Sequence, residues 1–159
     1  MSEIANFLVH ALALEHQAAE RYGELTAQME ENGASELAAL FARLGDFSAR
    51  HATQIDDIAR QHQPLPRLQS WQFDWETPLP PEVGDTALTT PSMTITQALG
   101  YAIANERRGW EYYNTIALTA ADPATRWLAQ GFASEEAEHV HTLERWLINH
   151  QDARPGNST

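Results

Sequence analysis

The sequence has no cysteine among its 159 residues. This absence excludes disulfide scaffolds, thiolate zinc sites, cysteine-held iron–sulfur clusters and cysteine nucleophiles. Basic residues are also scarce, with 10 Lys and Arg against 22 Asp and Glu, and the formal net charge is −12. Because so acidic a surface repels phosphate backbones, we expect no nucleic-acid partner.

Long hydrophobic runs are missing as well. No stretch of the sequence approaches the roughly 18 consecutive apolar residues of a membrane span, so we expect no membrane partner. The first four residues, MSEI, lack the basic and apolar segments of a secretory signal, and we expect a cytoplasmic protein. A hydrophobic content of 43% is nevertheless enough to build the core of one domain.

Apolar residues recur at spacings of three and four in four segments, and this periodicity predicts four helices. We expect them at about residues 3–30, 35–61, 94–118 and 123–149. Ser35 is the expected N-cap of the second helix, and Asp122 with Pro123 is expected to begin the fourth. The short connections within each pair predict two antiparallel helical hairpins.

The chain between the hairpins differs in composition. Residues 62–93 hold six of the eight prolines, which argues against helix and favours an extended crossover along the bundle. Trp71, Phe73 and Trp75 alternate there, either strapping the crossover to the bundle or forming a lid or docking strip. The predicted fold is therefore all-α: a four-helix bundle over residues 1–150, with a flexible tail at 151–159.

Polar side chains interrupt the apolar stripes of the four helices at one level. They are Glu15, Ser48, His51, Glu106, Glu136 and His139. An ionised carboxylate in a dry core is costly unless it is protonated, paired with a buried Arg or Lys, or bound to a metal. The arginines fall off the core stripes, whereas Glu136 and His139 lie one turn apart on one face and can reach a shared ion. The pattern favours a metal, and mixed carboxylate and imidazole donors suit iron, manganese or zinc.

The two hairpins also resemble each other. When the first and third helices are aligned so that Glu15 matches Glu106, Tyr22 matches Tyr113. The apolar stripes of the second and fourth helices align in the same way. An internal repeat implies a pseudo-two-fold axis through the bundle. We therefore expect the paired polar residues to act symmetrically about that axis.

These residues resemble the ferritin-like di-metal carboxylate superfamily and, within it, the rubrerythrin-like branch without a rubredoxin domain. The resemblance covers roughly residues 3–61 and 94–149 and is carried by the segments ALE at 13–15, NE at 105–106 and FASEEAEH at 132–139. It implies a ferritin-like bundle that binds iron. The implied metal ligands are Glu15, His51, Glu106, Glu136 and His139.

The resemblance also implies a role for each ligand. Glu136 bridges two ions, Glu15 with His51 holds one of them, and Glu106 with His139 holds the other. Tyr22 and Tyr113 lie two turns along the same faces. They either pack in the core, hydrogen-bond carboxylates around the metal ligands, or carry a transient oxidation.

The sequence departs from the family pattern at Ser48. The family has a glutamate there, which usually bridges the metals, whereas this chain has Ser48-x-x-His51. The substitution implies water or hydroxide beside Ser48, a single metal ion, or two ions at unequal occupancy. Gly109 also stands where rubrerythrins often carry an additional glutamate.

The resemblance implies a non-haem iron oxidoreductase, of ferroxidase or peroxidase type, that oxidises Fe(II) with dioxygen or hydrogen peroxide. It further implies a homodimer and an external electron donor. Two alternatives remain open at the level of sequence: an iron-handling or storage module without turnover, and a metal-free structural or partner-binding bundle with a decayed site.

Residues outside the stripes are expected on the surface: His10, His16, His62, His141, His150, Glu20 and Glu111.

Overall fold

A computed structural model describes residues 2–73, 75 and 89–153, with backbone only at residues 71, 152 and 153. Its α-helices are α1 Glu3–Glu31, α2 Ser35–Ala59, α3 Ile95–Thr119 and α4 Pro123–Ala153. Helix α4 continues past the predicted end at about residue 149, and the rest of the predicted tail, 154–159, lies outside the described residues.

The four helices pair as two antiparallel hairpins, α1 with α2 and α3 with α4. The all-α bundle with a long crossover between its halves is therefore confirmed. In the described part of the crossover, two short 3₁₀ helices occupy Arg60–His62 and Ser70–Gln72. None of the described helices combines the length and the hydropathy that a membrane span requires.

Side-chain caps begin three of the helices. The Ser2 hydroxyl accepts the Ala5 N–H at 3.2 Å at the start of α1. Thr94 forms a capping box with Gln97 at the start of α3. Asp122 accepts the Thr125 N–H at 3.1 Å before α4, as the Asp-Pro pair predicts.

The N-cap expected at Ser35 is wrong, because Ser35 is the first residue of α2 and Ala34 is its N-cap. The reason lies in the end of α1. Gly33 has a φ of +73°, and the N–H groups of Gly33 and Ala34 donate to the carbonyls of Glu30 and Met29. This Schellman motif terminates α1 and leads directly into α2, and the residue left at the N-cap position, Ala34, has no polar side chain to cap the helix.

Two apolar clusters fill the bundle, one towards each end. The first holds Tyr22, Leu25, Met29, Phe41, Leu44, Leu99, Ala102 and Leu143. The second holds Phe7, Leu8, Leu14, Ile55, Tyr113, Ala129 and Phe132. On every helix the interrupting polar residues lie between the positions that form these two clusters. The bundle therefore places one polar layer between two dry cores.

The turn between α1 and α2 predicts a stability effect at Gly33. An alanine there meets no atom within 4 Å, yet the positive φ strains any L side chain, so Gly33→Ala should lower the free energy of unfolding by about 1 kcal/mol. The matched control is Gly23→Ala, an exposed position in α1 with equal space, which should raise it by about 0.5–1 kcal/mol. Chemical denaturation measures both. Equal effects at the two positions would contradict the turn geometry.

Candidate metal centre

The polar layer receives side chains from all four helices. Helix α1 supplies Glu15, α2 supplies His51, α3 supplies Glu106, and α4 supplies Glu136 and His139. The three carboxylates and His51 are at most 2% exposed, and the His139 side chain is 22% exposed. The structure thus brings together all five residues that the sequence singled out.

The five residues form two groups that share Glu136. One group is Glu15, His51 and Glu136, and the other is Glu106, Glu136 and His139. Within each group, one donor atom from each residue lies within 4.8 Å of the others. Two three-residue groups with a common carboxylate have the arrangement of a paired metal site.

The half of the site around His51 is compact. The His51 Nδ1 atom lies 2.8 Å from Glu15 Oε1 and 3.2 Å from Glu136 Oε1. The Tyr113 hydroxyl donates to the same Glu15 oxygen at 3.0 Å. The rings of Phe132 and Tyr113 meet the His51 ring edge-on, with centroids at 5.3 Å and 6.1 Å. These aromatic rings exclude water from this half of the site.

The half around His139 is looser. The His139 Nδ1 atom lies 3.6 Å from Glu106 Oε2 and 3.7 Å from Glu136 Oε2. The His139 ring stacks on Phe47 at a centroid distance of 5.1 Å. The pseudo-symmetry of the sequence is therefore broken in the structure: one histidine is enclosed and the other faces solvent.

The donor atoms fit a bound cation. Both ring nitrogens of His51 and Glu106 Oε1 are buried and make no well-aligned hydrogen bond. The His51 nitrogens nevertheless approach carboxylate oxygens to 2.8 Å and 3.0 Å. His51 Nδ1 and Glu106 Oε1 are therefore atoms of the layer that could ligate an ion, whereas His51 Nε2 faces Glu135. The carboxylate and imidazole set suits iron, manganese or zinc.

The sequence prediction missed Glu135. Its Oε2 lies 3.0 Å from His51 Nε2, on the side of the ring away from Glu15, and its side chain is 41% exposed. In the amide orientation that satisfies both groups, Gln54 donates to Glu135 at 3.0 Å. A carboxylate on the far nitrogen fixes the orientation of a ligand histidine and raises its basicity. The signal that could have revealed Glu135 is the pair of consecutive glutamates Glu135-Glu136. Only Glu136 lies on the core stripe, so Glu135 was not selected.

These carboxylates control the charge of His51. Burial alone would lower the pKa of His51, but Glu135 and Glu15 outweigh it and raise the pKa to about 10. In return, His51 lowers the pKa of Glu135 against the effect of burial. Without a metal, His51 is an imidazolium at neutral pH and compensates part of the buried negative charge. A metal ion held by His51 would replace one of its protons.

The two tyrosines differ in their contacts. Tyr113 donates to Glu15, whereas the Tyr22 hydroxyl accepts a hydrogen bond from Asn105 at 3.3 Å. Asn105 also accepts a short hydrogen bond from Arg108. Ser48 is 3% exposed and lies one turn before His51 on α2. Ser48 therefore lies on the buried face of α2 that also carries His51.

The surface position expected for His10 is wrong, since His10 is only 4% exposed. Its Nδ1 lies 2.8 Å from the Asn6 carbonyl oxygen, and its ring packs against Phe73 and Trp75. The crossover covers this side of α1, and helix periodicity does not reveal which face a distant segment will cover. The remaining residues expected on the surface divide as follows: His16, His141, Glu20 and Glu111 are exposed, and His62 and His150 are half-buried.

The raised pKa of His51 predicts how the stability of the metal-free protein depends on pH. A histidine whose pKa rises from 6.5 to about 10 on folding stabilises the protein fully below pH 6.5, and this contribution disappears as the pH approaches 10. The stability difference between the parent and His51→Gln should therefore shrink between those values. Urea denaturation of chelator-treated protein measures it, with the exposed His16→Gln as control. A difference that stays constant with pH would contradict the assignment.

Comparisons with known proteins agree with the geometry. The rubrerythrin family model matches residues 6–88. A crystal structure of an uncharacterized conserved protein from Magnetospirillum magnetotacticum MS-1 has 43% sequence identity and a TM-score of 0.70, covering 93% of this chain and 95% of that chain. No curated protein matches the sequence. From the family match and the carboxylate and histidine cluster at the centre of its helical bundle, this chain belongs to the rubrerythrin family.

Proposed function

We propose that this chain is a non-haem di-iron protein that oxidises Fe(II) with dioxygen or hydrogen peroxide. The observation that carries the proposal is the pair of three-residue groups that share Glu136 in a buried layer. In a bundle with a purely structural role, three buried carboxylates that face one another would only destabilise the fold. Paired cations explain their placement, because three carboxylates supply −3 against the +4 of two divalent ions.

Each half of the site has its own ligands in this proposal. Glu15 and His51 hold one ion, Glu106 and His139 hold the other, and Glu136 lies between them. When bound, iron supplies the one-electron redox chemistry.

The surrounding residues prepare these ligands. Glu135 orients the His51 ring so that Nδ1 faces Glu15. Tyr113 fixes one oxygen of Glu15 through its hydrogen bond. The apolar clusters on both sides keep bulk water out of the layer, which strengthens the attraction between carboxylates and a cation.

A second function is supported by the open half of the site. His139 is 22% exposed and lies more than 3.5 Å from its neighbouring carboxylates. A ligand set of this kind releases an ion more readily than the enclosed set around His51. An iron-handling module, which takes up and passes on metal without turnover, would use the same residues.

We also propose a cytoplasmic homodimer that receives electrons from an external donor. Large apolar side chains support a subunit interface on the second hairpin, where Leu118 is 75% and Trp127 is 74% exposed. Both lie beside the turn that joins α3 to α4. Apolar residues so exposed at one end of a hairpin are typical of surfaces that pair with another chain.

The shared carboxylate predicts the metal stoichiometry of variants. The parent should bind two equivalents of Fe(II) under anaerobic conditions, and Glu136→Gln should lose both, because each group includes Glu136. His139→Ala should lose the weaker equivalent alone. Equilibrium dialysis with elemental analysis measures the content, and the exposed Glu138→Gln is the matched control. Two equivalents retained in Glu136→Gln would contradict the shared role.

The redox proposal predicts an optical change on oxidation. Fe(II)-loaded protein that is exposed to dioxygen or peroxide should develop a near-ultraviolet ferric absorption band, and Glu136→Gln should not. Sustained peroxide consumption with ascorbate as donor would identify an enzyme, whereas one stoichiometric burst would identify the handling module. A flat spectrum from fully loaded parent protein would overturn both forms of Fe(II) oxidation.

A further inference from the structure

Aromatic rings form a continuous path from the crossover to the metal centre. Trp75 lies 5.5 Å from Tyr112, measured between ring centroids, and Tyr112 lies 5.5 Å from Tyr113. The Tyr113 hydroxyl then donates to Glu15 Oε1 at 3.0 Å. Trp75 and Tyr112 are half-buried and Tyr113 is fully buried. The path therefore leads from the outside of the bundle to a carboxylate of the site.

Every ring in this path is one that can lose a single electron. Tryptophan and tyrosine are the most easily oxidised aromatic side chains, whereas phenylalanine is inert under the same conditions. Phe73 stacks on Trp75 at 5.6 Å but forms a side branch. Phenylalanine would preserve a ring at each of the three positions but would remove the oxidisable one, and at position 113 it would also remove the hydrogen bond to Glu15.

The other half of the pseudo-symmetric bundle is different. Tyr22 occupies the position that matches Tyr113, and its ring stacks on Phe41 at 6.3 Å. Further along that side, the Phe41 ring meets the Tyr101 ring at a centroid distance of 6.4 Å. A phenylalanine thus interrupts the sequence of oxidisable rings beside Tyr22. The contrast indicates that the Trp75–Tyr112–Tyr113 path is a specific feature of one half of the site.

We infer that Trp75, Tyr112 and Tyr113 conduct single electrons from an external donor to the metal centre. The inference rests on the proposed redox function and names the route by which its electrons enter. With no cysteine in these 159 residues, an iron–sulfur entry route is not available within them. Trp75, on the crossover, is the outer end of this route.

The electrons and protons of the transfer balance as follows. Tyr113 gives one electron towards the site, where dioxygen or hydrogen peroxide is the terminal oxidant, and its phenolic proton moves to Glu15 Oε1. The neutral Tyr113 radical then takes one electron from Trp75 across the Tyr112 ring and recovers the proton from Glu15. A one-electron donor at the surface reduces the Trp75 radical cation. Only the Tyr113 O–H bond breaks and re-forms.

His10 explains how the outer end of the path is held. Its ring meets Trp75 edge-on at 5.2 Å and Phe73 at 5.1 Å. A hydrogen-bonding contact from His10 Nδ1 to the Asn6 carbonyl, at 2.8 Å, fixes the imidazole on α1. The crossover aromatics are thus seated on a rigid helix, and the Trp75–Tyr112 distance is defined by that packing.

The test uses the full chain without metal, so that it does not depend on iron chemistry. Because the chain has no cysteine, Ser70→Cys provides a unique attachment point for a ruthenium polypyridyl photosensitiser, at an exposed residue five positions before Trp75. Flash oxidation of the label in chelator-treated protein should produce a tyrosyl radical, detected by transient absorption. The radical yield should fall severalfold in Trp75→Phe, in Tyr112→Phe and in Tyr113→Phe, all of which preserve a ring.

A label at Glu31→Cys is the control, because residue 31 lies about 30 Å along α1 from His10. The yield from that label should be the same with Trp75 or with Trp75→Phe. Circular dichroism checks the fold of each variant, and Tyr112→Phe, at a half-buried position, preserves the test if a buried variant misfolds. Equal yields in parent, Trp75→Phe and Tyr112→Phe would overturn the inference. Such a result would not contradict the proposed oxidation of Fe(II). Conversely, Fe(II)-loaded protein that develops no ferric absorption band, but still forms the tyrosyl radical through Trp75 and Tyr112, would overturn the proposed function alone.

Discussion

The burial of Glu15, Glu106 and Glu136 in one layer is the constraint on which the rest of the structure depends. Each carboxylate is at most 1% exposed, and the desolvation of three negative charges at one level would destabilise the bundle by several kcal/mol per charge if nothing opposed it. In the metal-free protein the imidazolium of His51 opposes part of this charge, and in our proposal two divalent ions oppose it in the loaded protein. Stability and metal binding are therefore coupled through the same atoms.

The bundle is organised so that this coupling is strong. The two apolar clusters lie on either side of the polar layer and lower the local dielectric, so both the cost of an unpaired carboxylate and the gain from a bound cation increase. The halves of the site are unequal, however. His51 is enclosed and held by Glu135, whereas His139 is half-open and stacks on Phe47. In our proposal, the enclosed half therefore holds its ion tightly and the open half exchanges its ion with solvent.

Helix periodicity was sufficient to predict the bundle and to bring five distant residues to one level. Glu15 and Glu106 are visible in the sequence because a charged residue on an apolar stripe is conspicuous. Glu135 was not, because it lies one residue off the stripe and acts through a contact with another helix. The predictions for His10 and for the N-cap of α2 were wrong for a related reason. Their surroundings are set by the crossover and by the end of α1, and neither segment has a repeating pattern to extrapolate.

The central claim is that cations lie among the inward-facing carboxylates. The most direct measurement is anomalous diffraction at the iron edge from crystals grown and soaked with Fe(II) without oxygen. The account predicts two peaks, one among Glu15, His51 and Glu136 and one among Glu106, Glu136 and His139, with the second weaker. A well-defined map without iron in this layer, with the same carboxylates neutral or paired with arginine, would contradict it.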